Sequence, residues 1–221
     1  MTADKALIHI KRITWLGFIA NIVLSGLKFS VGYLGRSQAV IADAVHSLSD
    51  ISTDVVILFG ASYWSQPPDE NHPYGHSRIE TLITTLIGFI LAGAALNMGY
   101  KALAGIRDEH ISQTGLIAAA GPILTIVIKE LLFRATLKVG YKTGSKAVQA
   151  NARHQRSDVF SSLPAAAVVF ISAVNPAWAF IDRVGAILIS LYILNSAWGI
   201  LVPNLKELSD HAAESDVIQT I

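Results

Sequence analysis

Six long apolar segments run through this chain, and they constrain its fold more than any other feature. Each is long enough to cross a hydrocarbon core of about 30 Å, which takes roughly 20 helical residues. Composition agrees, because only 15% of the 221 residues are charged, against about 25% in an average soluble domain. The sequence therefore predicts an all-α membrane protein, a six-helix bundle with helices at 13–35, 38–64, 78–105, 113–137, 147–173 and 178–203.

The basic residues are distributed unevenly between the two sides of this bundle. Lys11 and Arg12 precede the first segment, and Lys138 and Lys142 lie near the loop that follows the fourth. Because cytoplasmic loops carry an excess of lysine and arginine, both termini are predicted to face the cytoplasm. We therefore expect a cytoplasmic segment at 1–12, a membrane domain at 13–205 and the start of a cytoplasmic C-terminal region at 206–221.

Two H-x-x-x-D motifs lie inside the second and fifth apolar segments. His46 and Asp50 form the first, and His154 and Asp158 form the second. A spacing of four residues places both side chains of a pair on one helix face. At 1.5 Å per residue, both pairs lie about 13–15 Å deep, near the middle of the core. Ionisable groups at that depth mark ion pathways, although hydrogen bonding between helices is an alternative role.

The chemistry of these four side chains favours a divalent metal ion. Two imidazole nitrogens and two carboxylates form a tetrahedral set suited to Zn²⁺ or a related ion. Mg²⁺ and Ca²⁺ prefer oxygen ligands throughout. The chain contains no cysteine, which excludes thiolate sites and argues against Cu(I).

A polar loop between the second and third segments offers another set of metal ligands. Asp69, His72 and His76 are spaced three and four residues apart, among turn-forming proline and glycine. This spacing suits a surface metal site if the loop turns back on itself. An ordinary polar loop rich in turn formers explains the same residues equally well.

Other ionisable residues also fall within the apolar segments. We expect Asp43 to lie in a hydrated vestibule or to support the ligands from behind, and not to bind metal directly. Asp54, one turn beyond Asp50, could line the cytoplasmic entry or make a structural hydrogen bond. Lys129 and Glu130 lie deep in the fourth segment, where we expect structural ion pairing without being able to name their partners.

Three segments closely resemble the cation diffusion facilitator family. They are Ala-Asp-Ala-Val-His-Ser-Leu-Ser-Asp at 42–50, Asp-Glu-Asn-His-Pro-Tyr-Gly-His-Ser-Arg-Ile-Glu at 69–80 and His-Gln-Arg-Ser-Asp at 154–158. Their order and spacing fit, and the resemblance covers almost the whole chain. It implies a homodimeric six-helix transporter that exports divalent metal from the cytoplasm in exchange for protons. Family members usually continue into a cytoplasmic domain, of which 206–221 would be the start, the rest being either truncated or naturally absent.

The resemblance also assigns roles to individual residues. It implies a zinc-preferring transport site, a metal site in the loop and a charge pair that ties the ends of the third and sixth helices. The transport site would consist of His46, Asp50, His154 and Asp158. The loop site would consist of Asp69, His72 and His76, and the charge pair of Arg78 and Asp210.

Several other functions compete with zinc export. An Fe²⁺, Mn²⁺ or Cd²⁺ exporter of the same family would use the same ligands, and a membrane metal sensor or scaffold would bind metal without transport. An intramembrane metallohydrolase would need a general base beside the metal, as in H-E-x-x-H, and the sequence lacks that motif. We therefore predict a transporter of the cytoplasmic membrane and not an enzyme, with metal, protons, lipid and a second copy as partners and no nucleic acid.

Overall fold

The computed structural model describes residues 3–56, 77–106 and 114–209. The described part of the chain is helical. Its long helices are α1 (Ala3–Leu34), α2 (Gln38–Val55), α3 (Ser77–Gly105), α4 (Ala120–Thr143), α5 (Lys146–Val174) and α6 (Phe180–Leu208). Short 3₁₀ turns, Leu116–Ala119 and Pro176–Trp178, precede α4 and α6. The predicted all-α fold with six long helices is thus confirmed for these residues.

Five of these helices are long and apolar enough to cross a membrane. The described part of α2 is not among them, because three aspartates fall within its 18 residues. The predicted second span continued to residue 64, beyond the described residues. Large apolar side chains are exposed on the outer helix faces, including Leu86 at 60% and Ile90 at 61%. Such broad apolar exposure is typical of a surface that faces lipid.

Several helix boundaries differ from the prediction; α6, for example, ends at Leu208 and not at 203. Helix α1 begins at Ala3, well before the predicted start at 13, and α4 continues to Thr143, beyond the predicted end at 137. Both extensions contain lysine or arginine, which end an apolar segment but are good helix formers. Hydropathy therefore located the membrane-crossing part of each helix, and the helices extend past it.

A tight turn sets the register between α4 and α5. Gly144 ends α4 in the left-handed conformation at φ 70°, which glycine adopts without steric cost. Ser145 then caps α5, because its hydroxyl accepts a hydrogen bond from the Val148 amide. At Gly140 the helices approach so closely that an added Cβ would lie 2.7 Å from Gln149 Cγ. This antiparallel hairpin places α4 alongside the predicted ligands on α5.

Helix α2 is capped from another helix. The carboxylate of Asp182, at the start of α6, accepts hydrogen bonds of 2.6 Å from the Ser37 hydroxyl and the Gln38 amide. Ser37 in turn accepts from the Val40 amide at 3.1 Å, the usual role of an N-cap serine. Asp182 is buried, so this cap fixes the end of α2 against α6.

Replacing Asp182 with alanine should lower the free energy of unfolding by about 1–3 kcal/mol, because one buried and one partly buried donor would lose a charged acceptor. Denaturant unfolding in detergent, followed by circular dichroism, would measure the change. Asp182→Asn retains one acceptor oxygen and should lose less. Equal stability of the alanine variant and the unmodified protein would contradict this account of the cap.

Candidate metal centre

Helices α2 and α5 bring three of the four predicted transport ligands together. One ligand atom from each of Asp50, His154 and Asp158 lies within 4.8 Å of the others. Asp158 is buried and Asp50 partly buried, whereas the His154 side chain is 59% exposed. The His154 Nε2 and Asp158 Oδ1 atoms are 3.9 Å apart. Two carboxylates and an imidazole at this separation can converge on one divalent ion.

His46, the fourth predicted ligand, lies outside this cluster. Its ring packs edge-on against Tyr192 of α6, with ring centroids 5.1 Å apart. The residue is 92% buried, its exposed fraction being 8%, and its Nδ1 atom has no hydrogen-bond partner among the described residues. His46 therefore occupies the turn of α2 next to Asp50, with a ring nitrogen available for a ligand.

Asp43 is held in a buried ion pair. Its carboxylate lies 2.8 Å from the Lys28 ammonium of α1. Lys28 also donates to the hydroxyls of Ser47 at 2.9 Å and Ser162 at 3.0 Å, and Ser162 donates to the second Asp43 oxygen at 3.3 Å. These four residues, which we call the Lys28 junction, join α1, α2 and α5. Asp43 lies outside the cluster of Asp50, His154 and Asp158.

Two cavities flank the cluster along α2 and α5. One, of about 390 Å³, is lined by Asn21, Asp54 and Gln155 among others; Asp54 there accepts a hydrogen bond of 3.0 Å from the Asn21 amide. The other, of about 430 Å³, is lined by Asp43, His46 and Tyr192 among others. Asp54 and His46 lie one helical turn to either side of Asp50, so the cluster stands between the two cavities.

Lys129 is a site residue whose partner sequence reasoning missed. Its ammonium lies 2.6 Å from Asp158 Oδ2, and Lys129 is only 4% exposed. The sequence predicted ion pairing for Lys129 but offered no signal for which helix would supply the acid. Glu130, its neighbour, instead pairs with Arg134 one turn along the exposed face of α4.

Two further predicted sites fall largely outside the described residues. Asp69, His72 and His76 of the loop lie there, as does Asp210. Arg78 is described, in the first turn of α3 and exposed. Near it, the Thr81 hydroxyl donates to Glu207 at 2.8 Å, which joins the start of α3 to the end of α6.

Comparison with known proteins places this geometry in a family. The family model described as the cation efflux transmembrane domain matches residues 14–209. An uncharacterized transporter of Methanocaldococcus jannaschii is 35% identical over 93% of this chain and 72% of its own length. Mitochondrial metal transporter 2 of Saccharomyces cerevisiae is 33% identical over 91% of this chain and 46% of its own. The manganese efflux system protein MneS of Bacillus subtilis is 32% identical over 86% and 65%.

The matched region contains most of α1, all of α2 to α6, the three clustered ligands and nearly all of the residues that line the two cavities. The resemblance that the sequence motifs indicated is therefore confirmed by independent comparison. The chain is a multi-pass membrane protein that belongs to the cation diffusion facilitator family.

Proposed function

We propose that this protein transports divalent metal ions across the membrane, exporting Zn²⁺ from the cytoplasm in exchange for protons. The observation that carries the proposal is the placement of the Asp50, His154 and Asp158 ligand atoms within 4.8 Å of one another, between two cavities. A cation site at the middle of a helical bundle, with a cavity on either side, is typical of a transporter. A site for sensing alone would not need the second cavity.

The fourth ligand in this proposal is His46. Its buried Nδ1 atom lacks a partner among the described residues, and it lies one turn from Asp50 on α2. Rotation of the ring away from Tyr192 would complete a set of two imidazoles and two carboxylates. That set suits Zn²⁺.

Proton exchange follows from the chemistry of the ligands. Metal binding requires neutral imidazole and ionised carboxylate, so bound metal and bound protons exclude one another. Histidine has an unperturbed pKa of about 6.5, which makes it the ligand that changes protonation nearest to physiological pH. An acidic outer compartment would therefore favour metal release and proton uptake at the same site.

Manganese is the second candidate substrate. The cluster as it stands holds two carboxylates and one imidazole, an oxygen-rich set that suits Mn²⁺ better than a set with two imidazoles. The matched MneS protein is named for manganese efflux. If His46 stays with Tyr192 during transport, manganese becomes the favoured ion.

Reconstituted proteoliposomes test the transport proposal. We expect an imposed Zn²⁺ gradient to drive proton movement in the opposite direction, reported by a pH-sensitive dye, and Asp50→Ala to abolish both fluxes. Arg134→Met, which removes an exposed charge outside the cluster, should retain flux. Zinc binding without flux by the unmodified protein would contradict transport and favour a sensor.

Metal competition in the same vesicles separates zinc from manganese. If His46 is a ligand, His46→Ala should weaken transport of zinc much more than transport of manganese. Equal effects on both metals would contradict a role for His46 in selecting zinc.

The remaining expectations extend this proposal. We propose that both termini face the cytoplasm, because the basic residues are biased to that side, and that two copies form a homodimer, as the family resemblance implies. A loop metal site at Asp69, His72 and His76 and a charge pair between Arg78 and Asp210 belong to the same proposal.

A further inference from the structure

The candidate metal centre contains a cation of its own. The Lys129 ammonium is 2.6 Å from Asp158 Oδ2, while the other oxygen of this carboxylate faces His154 Nε2 at 3.9 Å. Lys129 comes from α4, whereas the cluster residues come from α2 and α5. A third helix therefore places a positive charge against one of the proposed ligands.

This ion pair differs from the other buried lysine–aspartate pair. Three groups hold the Lys28 ammonium: it pairs with the Asp43 carboxylate and donates hydrogen bonds to the Ser47 and Ser162 hydroxyls. Lys129 has Asp158 as its acceptor and no second one among the described residues. An ammonium held at several points is a structural tie, whereas one held by a single carboxylate can swing away on its flexible stem.

Lys129 and a divalent ion would interfere with each other at Asp158. Zinc binds carboxylate oxygen at about 2.0–2.2 Å, so both cations would lie within a few ångströms of each other on the same group. Repulsion at such a distance is strong where water is excluded. When the metal leaves, the returning ammonium would again neutralise a buried carboxylate, which is costly to leave unpaired.

We infer that Lys129 is a tethered competitor of the transported metal: it pairs with Asp158 in the metal-free site, is displaced when metal binds, and promotes release by returning. This inference rests on the proposed function. In this inference Lys129 of α4, which lies outside both H-x-x-x-D motifs, weakens metal binding. Metal release then does not limit the rate of transport.

Equilibrium binding of Zn²⁺ to the purified full chain in detergent tests the inference, at one fixed pH by titration calorimetry. Because two coupled ligands change each other's affinity by a common factor, Lys129→Met should bind Zn²⁺ about tenfold or more tightly. The same variant should transport zinc with a lower maximal rate in vesicles. Lys129→Arg, which keeps the charge, should bind zinc with an affinity close to that of the unmodified protein.

Arg134→Met is the matched control, because it removes one positive charge from the same helix at an exposed position, 74% accessible. Its zinc affinity should be unchanged. If Lys129→Met fails to fold, Lys129→Gln carries the test, since it removes the charge but keeps a donor for Asp158.

Unchanged zinc affinity in the Lys129 variants would overturn the inference while leaving metal transport intact. Weaker binding would also overturn it, because Lys129 would then position Asp158 for the metal. Failure of the unmodified protein to bind Zn²⁺ or Mn²⁺ would overturn the proposed function, and this inference with it.

Discussion

Asp158→Ala is expected to abolish metal transport and also to lower the free energy of unfolding by about 3–5 kcal/mol, the usual cost of leaving a buried charge unpaired. The first effect follows from the loss of a clustered carboxylate. The second follows from Lys129, whose ammonium lies 2.6 Å from Asp158 and would be left buried without its partner. Proton-coupled zinc flux in vesicles and denaturant unfolding in detergent measure the two effects separately.

A double variant separates the two roles of Asp158. Adding Lys129→Met to Asp158→Ala removes the orphaned charge, so most of the lost stability should return while transport stays absent. Asp50→Ala should abolish transport with a smaller loss of stability, because no ion pair with Asp50 is found among the described residues. Full zinc flux in the Asp158→Ala protein would contradict the proposed site.

Lys28→Met should produce the largest loss of stability that does not involve a proposed ligand. Lys28 and Asp43 are each 1% exposed, and the variant would leave the Asp43 carboxylate buried without its cation. We expect a loss of about 3–5 kcal/mol. Denaturant unfolding in detergent would measure this loss. Arg134→Met is the comparison, because it breaks the exposed Arg134–Glu130 pair and should lower the free energy of unfolding by only about 0.3–0.5 kcal/mol.

Removal of both charges provides the converse test of the Lys28 junction. Lys28→Met combined with Asp43→Leu leaves no buried ion unpaired, and such apolar replacements are often neutral or even stabilising. The double variant should therefore be more stable than Lys28→Met alone. If the two variants were equally unstable, the damage would come from altered packing and not from an unpaired charge.

The fold was largely predictable because lipid restricts the possible structures so severely. A segment of about 20 apolar residues in a bilayer must be a helix, since its backbone polar groups have no other partners. Helix ends were less predictable: α1 begins at Ala3 and α4 ends at Thr143, because a helix can continue into water after its apolar stretch is over. Hydropathy indicates which part of a segment lies in lipid and which in water. It does not indicate where the helical backbone ends.

The proximity of Asp50, His154 and Asp158 was predictable from the spacing within each motif and from the matched depth of the two motifs in the membrane. A four-residue spacing guarantees that His154 and Asp158 share a helix face, and the structure brings Asp50 beside them. Contacts that depend on the rotation of one helix against another could not be predicted. The edge-on packing of His46 against Tyr192 and the pairing of Lys129 with Asp158 are both of this kind, because no spacing along the chain encodes them.

The lysine in the metal centre has a consequence for how membrane voltage acts on transport. With both carboxylates ionised and His154 neutral, the cluster and the Lys129 ammonium would together have a net charge of −1 when empty and +1 when a divalent ion is bound. In a membrane with a negative interior, outward movement of the loaded cluster and inward return of the empty one would both run against the field. Each opposed charge costs about 2.3 kcal/mol per 100 mV. In the proposed export cycle, a proton carried on the return would make the empty cluster neutral and would remove that half of the electrical work.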